Sequence, residues 1–294
     1  MKHQGIFLAT LIAMHCGPFA RGQIARPSGE TIHPTFLTEE PATEPADKEE
    51  SGGSDESLAK ATQNPVANLI SVPFQNNFNF GIGPKNATQW MMNIQPVIPI
   101  SLNHDWNLIT RTILPVIYQD SPADGVSSAF GIGDLNPSVF LSPMGSKKFI
   151  WGAGATMSIP IGTAPNMTTG KWSAGPAFVA LTMQGPWVVG GLVNNQWSFA
   201  GWGQKSVNAM LFQPFVNYNL KGGWYISSAP ILTANWEASG SDTWTVPLGG
   251  GVGKIVRLGK LPVNISLQVY DNVVRPKGGA DWQVRFQVQF LFPK

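Results

Sequence analysis

The chain has 294 residues, with 32 Gly, 24 Pro and 11 Trp but only 12% charged residues. That composition favours strands and turns over a helical bundle, and the length allows one large domain or two ordinary ones. The net charge of +2 is unevenly spread: nine of the seventeen acidic residues lie between positions 30 and 56, and beyond residue 70 fourteen Lys and Arg face eight Asp and Glu. The positive excess is scattered over Lys147, Lys148, Lys171, Lys205, Lys221 and similar positions, so no nucleic-acid partner is expected.

At the N-terminus a Lys precedes an apolar run over 5–20, then Ala20-Arg21-Gly22, which reads as a secretory signal over 1–22. Cys16 is the only cysteine, and the bulky, polar His15 before it stands where a lipoprotein signal needs a small residue. The mature chain is therefore expected to lack cysteine and to need no disulfide. Residues 23–57, rich in Pro, Glu, Ser and Gly, read as a disordered acidic leader. Over 58–70 a short helix is expected, with Asn64 capping it and Pro65 at its first position, placed to plug or brace the strands after it. No later segment approaches the roughly 18 apolar residues of a spanning helix.

From residue 71 to 294 the pattern changes to two-residue alternation. Twelve strands are expected, at about 71–81, 87–100, 105–118, 130–142, 147–160, 173–182, 186–198, 206–219, 222–236, 242–256, 261–272 and 281–292. Most are long enough for a tilted membrane crossing of roughly 9 to 11 residues. Tight connections alternate with longer ones, as in an all-β, closed, up-and-down antiparallel transmembrane barrel with short periplasmic turns. With both ends periplasmic, Trp106, Trp187, Trp224, Phe74 and Phe149 fall near the periplasmic boundary. Trp90, Trp197, Trp236, Trp244, Trp282, Tyr118 and Phe80 fall near the external one, giving two aromatic girdles.

The last strand carries the clearest stripe. Trp282, Val284, Phe286, Val288, Phe290 and Phe292 alternate with Gln283, Arg285, Gln287 and Gln289, which predicts one lipid-facing and one lumen-facing side. The competing reading is a half-buried strand of a soluble sandwich. Prolines stand against the barrel: Pro96, Pro99, Pro115, Pro137, Pro176, Pro214, Pro230 and Pro247 lie inside expected strands, and each removes a ladder hydrogen bond. Several are expected to mark bulges or strand ends.

The stretches LAKATQNPVANLISVPFQNNFNFGIGP, NIQPVIPISLNHDWNLITRTILPVI and GIGDLNPSVFLSP, with the aromatic last strand, resemble the bacterial outer-membrane barrel family named for the meta-pathway of phenol degradation. Its members are often labelled "transporter" or "neuromedin U". The similarity runs over about 58–294, and 93–117 is its most specific part. It implies location in the bacterial outer membrane and passage of small molecules, aromatic or hydrophobic ones included. No catalytic motif comes with it. A terminal aromatic strand such as Trp282 to Phe292 also implies recognition by the outer-membrane assembly machinery.

Taking the polar parity of each strand as inward gives a lumen lined by Asn93, Gln95, Asn136, Gln268 and Gln287 among other amides, with Arg111, Asp134 and Arg285 as the charged members. Such a wall suits small, uncharged solutes, and its charges either select solutes or pair with one another. The expected function is a channel for small molecules, gated by 58–70, with membrane lipid and the solute as partners and no cofactor. The alternative is a non-conducting structural or adhesive barrel acting through external loops 119–129 and 161–172. An enzyme is not expected, because the only histidines are His3, His15, His33 and His104, none on a strand wall.

Overall fold

The computed structural model describes residues 54–145 and 149–293; the expected signal over 1–22 with Cys16, and nearly all of the leader over 23–57, lie outside them. Fifteen strand segments build twelve staves. In chain order they are β1 (Ile70–Ile82), β2 (Ala87–Ile94) continued by β3 (Val97–Ser101), β4 (Trp106–Gln119), and β5 (Ala129–Ile132) continued by β6 (Asn136–Pro143). Then come β7 (Phe149–Ser158), β8 (Lys171–Gln184), β9 (Trp187–Gly201), β10 (Asn208–Asn219), and β11 (Trp224–Ser228) continued by β12 (Leu232–Asn235). β13 (Trp244–Leu258), β14 (Leu261–Val274) and β15 (Trp282–Phe292) complete the ring. Neighbouring staves pair antiparallel all the way round, and β15 closes on β1 in unbroken register from Ile70↔Phe292 to Phe80↔Trp282. The fold is thus a closed twelve-stranded barrel, as the alternation predicts.

The prolines are compatible with closure because most stand where the ladder is already interrupted. Pro96 and Pro230 occupy the gaps between β2 and β3 and between β11 and β12. Pro214 faces the second of these gaps, since β10 pairs with β12 up to Phe212 and resumes with β11 at Val216. Pro115 faces the gap between β5 and β6, where its carbonyl accepts from Gly133 N at 2.8 Å, and Pro137 follows the same gap. Pro247 sits at a register shift between β13 and β14. A residue without an N–H loses nothing at such points.

Burial separates the two faces of each stave. On β15, Arg285, Gln289 and Leu291 are buried, whereas Trp282, Phe286 and Phe292 are exposed. The outside of the barrel is a belt of exposed Ile, Leu, Val and Phe, including Val139, Leu141, Phe178, Val252, Leu267 and Val269. Exposed Trp187 and Trp224 sit at one end and exposed Trp197, Trp236 and Trp282 at the other, as the girdles require. Several rings pair: Phe80 stacks on Trp282 at 4.3 Å, and Trp187–Tyr218 and Trp236–Trp244 meet edge to face at 4.7 and 5.4 Å. No helix among the described residues is long and apolar enough to cross a membrane. The closed ring, apolar belt and girdles are those of a bacterial outer-membrane barrel, and in such barrels the end carrying both barrel termini and two-residue turns, here 185–186 and 259–260, is the periplasmic one.

The helix before β1 is displaced from its expected place. It is α1 (Asp55–Thr62), with Ser54 Oγ accepting from Ser57 N at 3.2 Å and acidic Asp55 and Glu56 in its first turn. Asn64 does not start a helix. Its side chain accepts from Val66 N at 3.0 Å and its carbonyl from Ala67 N at 3.1 Å, making a single turn that ends before the chain extends into β1.

The outward position of Leu267, near the middle of β14, generates a prediction. Leu267→Arg should destabilise the folded barrel in lipid by about 2–4 kcal/mol, read from urea unfolding in liposomes.

Candidate lumen site

Segment 55–69 enters the periplasmic half of the lumen. Leu58, Ala59 and Leu69 pack with Tyr225, Ile255 and Leu291, while Val66 reaches the far wall and packs with Ile109, Phe140, Val179, Leu192 and Phe215. Polar ties hold it at the rim. Asp55 pairs with Arg257 at 2.8 Å, Gly222 N donates to Glu56 Oε1 at 3.3 Å, and Gln63 and Asn219 exchange two amide hydrogen bonds of 2.9 and 3.0 Å. The ion pair is partly exposed and contributes at most about 1 kcal/mol, whereas burying each large apolar side chain contributes roughly 1.5–3 kcal/mol. Apolar contact, then, is what keeps the segment seated.

The lumen wall has two characters. From β6 through β10 the inward residues Phe140, Ala177, Val179, Leu181, Val188, Leu192 and Phe215 are buried and apolar. This corrects in part the expected wall of mostly neutral amides: on these staves the inward parity is mixed, with Ser142, Thr156, Ser173, Asn217 and Asn219 also buried. From β13 round to β2 the wall is a connected amide network. Arg285 Nη2 donates to Gln283 Oε1 at 3.3 Å, Gln283 to Asn79 at 2.8 Å, Asn79 to Gln89 at 3.0 Å and Gln89 to Gln119 at 2.8 Å. Nearer the periplasm, Tyr225 donates to Asn264, Asn264 to Gln289 and Gln289 to Ser71, at 2.8, 3.1 and 3.1 Å.

Between segment 61–69 and this wall lies a cavity of about 180 Å³. Among the eight residues singled out for the lumen, Arg111, Arg285, Gln95, Gln268 and Gln287 line it. Arg285 is buried and donates to Asn77, the Ala229 carbonyl, Gln268 and Gln283, with its guanidinium 4.8 Å from the centre of the Tyr270 ring. Arg111 donates to Gln95 Oε1. Asn93 lies across from Gln75, which lines the cavity, but is not itself part of the lining.

Asp134 and Asn136 serve elsewhere. Asp134 accepts from Gly162 N at 3.3 Å, Thr169 N at 2.8 Å and Thr169 Oγ1 at 3.0 Å, tying external loop 159–170 to the wall, and Asn136 Nδ2 donates to the Asp134 carbonyl at 2.8 Å. The loop carries Met167, which is buried, over the external side of β5. A Cβ at Gly131 would overlap Thr163 Oγ1, and one at Gly133 would come within 2.9 Å of Pro115 Cγ. The GIGD stretch is thus a docking groove for this loop. Among the described residues, Arg111, Asp134 and Arg285 form no ion pair with one another, so the expectation of mutual pairing is also corrected.

No family model matches the chain, and no curated protein matches it. Solved structures do resemble it. An outer membrane channel from Pseudomonas putida is 14% identical with a TM-score of 0.59, covering 76% of this chain and 94% of that one. The CymD monoaromatic hydrocarbon channel is 8% identical with a TM-score of 0.43, covering 83% and 93%. Outer membrane phospholipase A from Escherichia coli is 12% identical with a TM-score of 0.40, covering 76% and 96%. The first of these shows the shared barrel fold. The expectation that the chain is not an enzyme is corrected by the last: a phospholipase stands among the structures this barrel resembles, so the architecture does not exclude catalysis.

The Asp134 anchor is testable. Asp134→Asn replaces an acceptor oxygen by a donor and should cost about 1–3 kcal/mol locally. Amide exchange of residues 162–169 should speed up about tenfold or more, while β14 and β15 stay protected.

Proposed function

We propose that this chain is an outer-membrane channel for small molecules, a member of the family named for the meta-pathway of phenol degradation, with segment 55–69 as its stopper. The observation that carries this reading is the cavity of about 180 Å³ between that segment and a wall bearing amides, hydroxyls and guanidinium groups together with apolar Phe215 and Val97. A passage of this kind holds a solute by a few polar groups against an apolar surface, firmly enough to admit it and weakly enough to release it. Solute leaves toward the periplasm only when 55–69 shifts. Its hold is several apolar side chains deep, an energy within reach of a ligand or membrane event. Assembly follows from the same strand geometry, with β15 (Trp282–Phe292) as the segment read by the outer-membrane assembly machinery.

Planar-bilayer recording tests the channel. The refolded full chain should show small, intermittent conductance, and deletion of residues 23–69 should leave a folded barrel with a larger, steadier one. Absence of current from both proteins would end this reading.

A further inference from the structure

The cavity carries a charge with no counterpart. Arg111 and Arg285 both line it, and none of its lining residues is acidic. The two arginines differ in what they hold. Arg285 is engaged by wall groups on several sides and lies over Tyr270. Arg111 donates to Gln95 alone among the described residues, which leaves most of its five N–H groups beside the cavity without a protein acceptor. A guanidinium taken out of bulk water without an anion is costly, and a planar fork of donors matches a carboxylate in a bidentate pair.

Beyond the arginines the lining combines amide and hydroxyl side chains with a smaller apolar part, which gives an organic body a surface that a small inorganic anion would not use. Phe215, Val97, Leu69 and Ala67 also line it and offer no hydrogen bonds from their side chains, Val97 being the cross-strand neighbour of Arg111. A cavity of about 150 Å³ lined by aliphatic and aromatic side chains is known to hold benzene. The present one is of comparable size, with a cation on one side.

We propose that this cavity binds a small organic monocarboxylate, its carboxylate paired with Arg111 and its apolar body against Phe215. The inference deepens the channel reading and rests on it for the solute's access. It also departs from the uncharged solutes expected from the amide pattern, because the carboxylate partners that would neutralise the arginines are missing from the cavity lining.

Benzoate, with benzamide as its neutral counterpart of similar shape, tests the site by calorimetric titration into the refolded full chain in detergent. Benzoate should bind at least about tenfold tighter than benzamide, the scale of a charge-assisted hydrogen-bond pair. Arg111→Gln should erase that preference and Arg111→Lys should keep part of it. Gln95→Glu, which supplies Arg111 with an internal carboxylate, should erase it too and covers the case in which Arg111→Gln does not fold. Equal affinities, no binding of either compound, or a preference that survives Arg111→Gln or Gln95→Glu would each overturn the proposal. Conductance of the same preparation reports separately on the channel. Current without benzoate binding removes this site and leaves the pore, whereas benzoate binding without current removes the pore and leaves the site.

Discussion

In the hydrocarbon of a membrane no water is present to meet a free N–H or C=O, so every backbone polar group of a spanning segment must find its partner within the protein. The pairing of β15 with β1 meets that requirement: it turns two edges into one more interior ladder, from Ile70↔Phe292 to Phe80↔Trp282. The rest of the molecule depends on this closure. It forces one parity of each strand outward into lipid and the other inward, and so makes an apolar stripe such as Trp282 to Phe292 stable on the surface of a protein. It also decides where prolines can stand. Gaps at 95–96, 133–135 and 229–231 break three staves, and Pro96, Pro115, Pro214 and Pro230 cluster in or opposite them.

Closure leaves an interior that twelve staves are too many to fill and too few to leave as a wide water channel. Two inserts occupy it from opposite ends. From the periplasmic side, 55–69 places Leu58, Val66 and Leu69 against inward side chains; from outside, loop 159–170 folds onto the groove of Gly131 and Gly133 and is fastened by Asp134. The apolar inward faces of β6 through β10 answer the apolar side of the first insert. The amide face of β13 through β2 is tied to itself by hydrogen bonds and leaves the arginines beside the remaining space.

The architecture is legible in the sequence because its signal is repeated: twelve stretches alternate at period two, and the stave count, their limits to within a few residues and both aromatic girdles come from that alone. The lumen is less legible. Parity identifies inward residues only where the two faces differ in polarity, as they do on β15, and on β8 both Ala177 and Val179 inside and Phe178 outside are apolar. The role of Asp134 is hidden because its partners come from 162 and 169, a contact that depends on how a loop folds over the barrel. The Asn64-Pro65 signal points to the right local chemistry, an Asn side chain accepting an amide two residues on, but that chemistry serves a turn as well as a helix. Histidine placement speaks only to chemistry that needs an imidazole on the strand wall, and the expectation of no enzyme goes further than that.

The orientation of the last strand in lipid is the claim on which closure, lumen and cavity all depend. Single cysteines introduced along 283–291, spin-labelled and placed in liposomes, measure it through collisions with oxygen dissolved in the bilayer and with a water-soluble nickel complex. Labels at 284, 286, 288 and 290 should collide mainly with oxygen, and labels at 283, 285, 287 and 289 should show low oxygen accessibility. A profile without alternation, or with the two parities exchanged, would contradict the barrel as described.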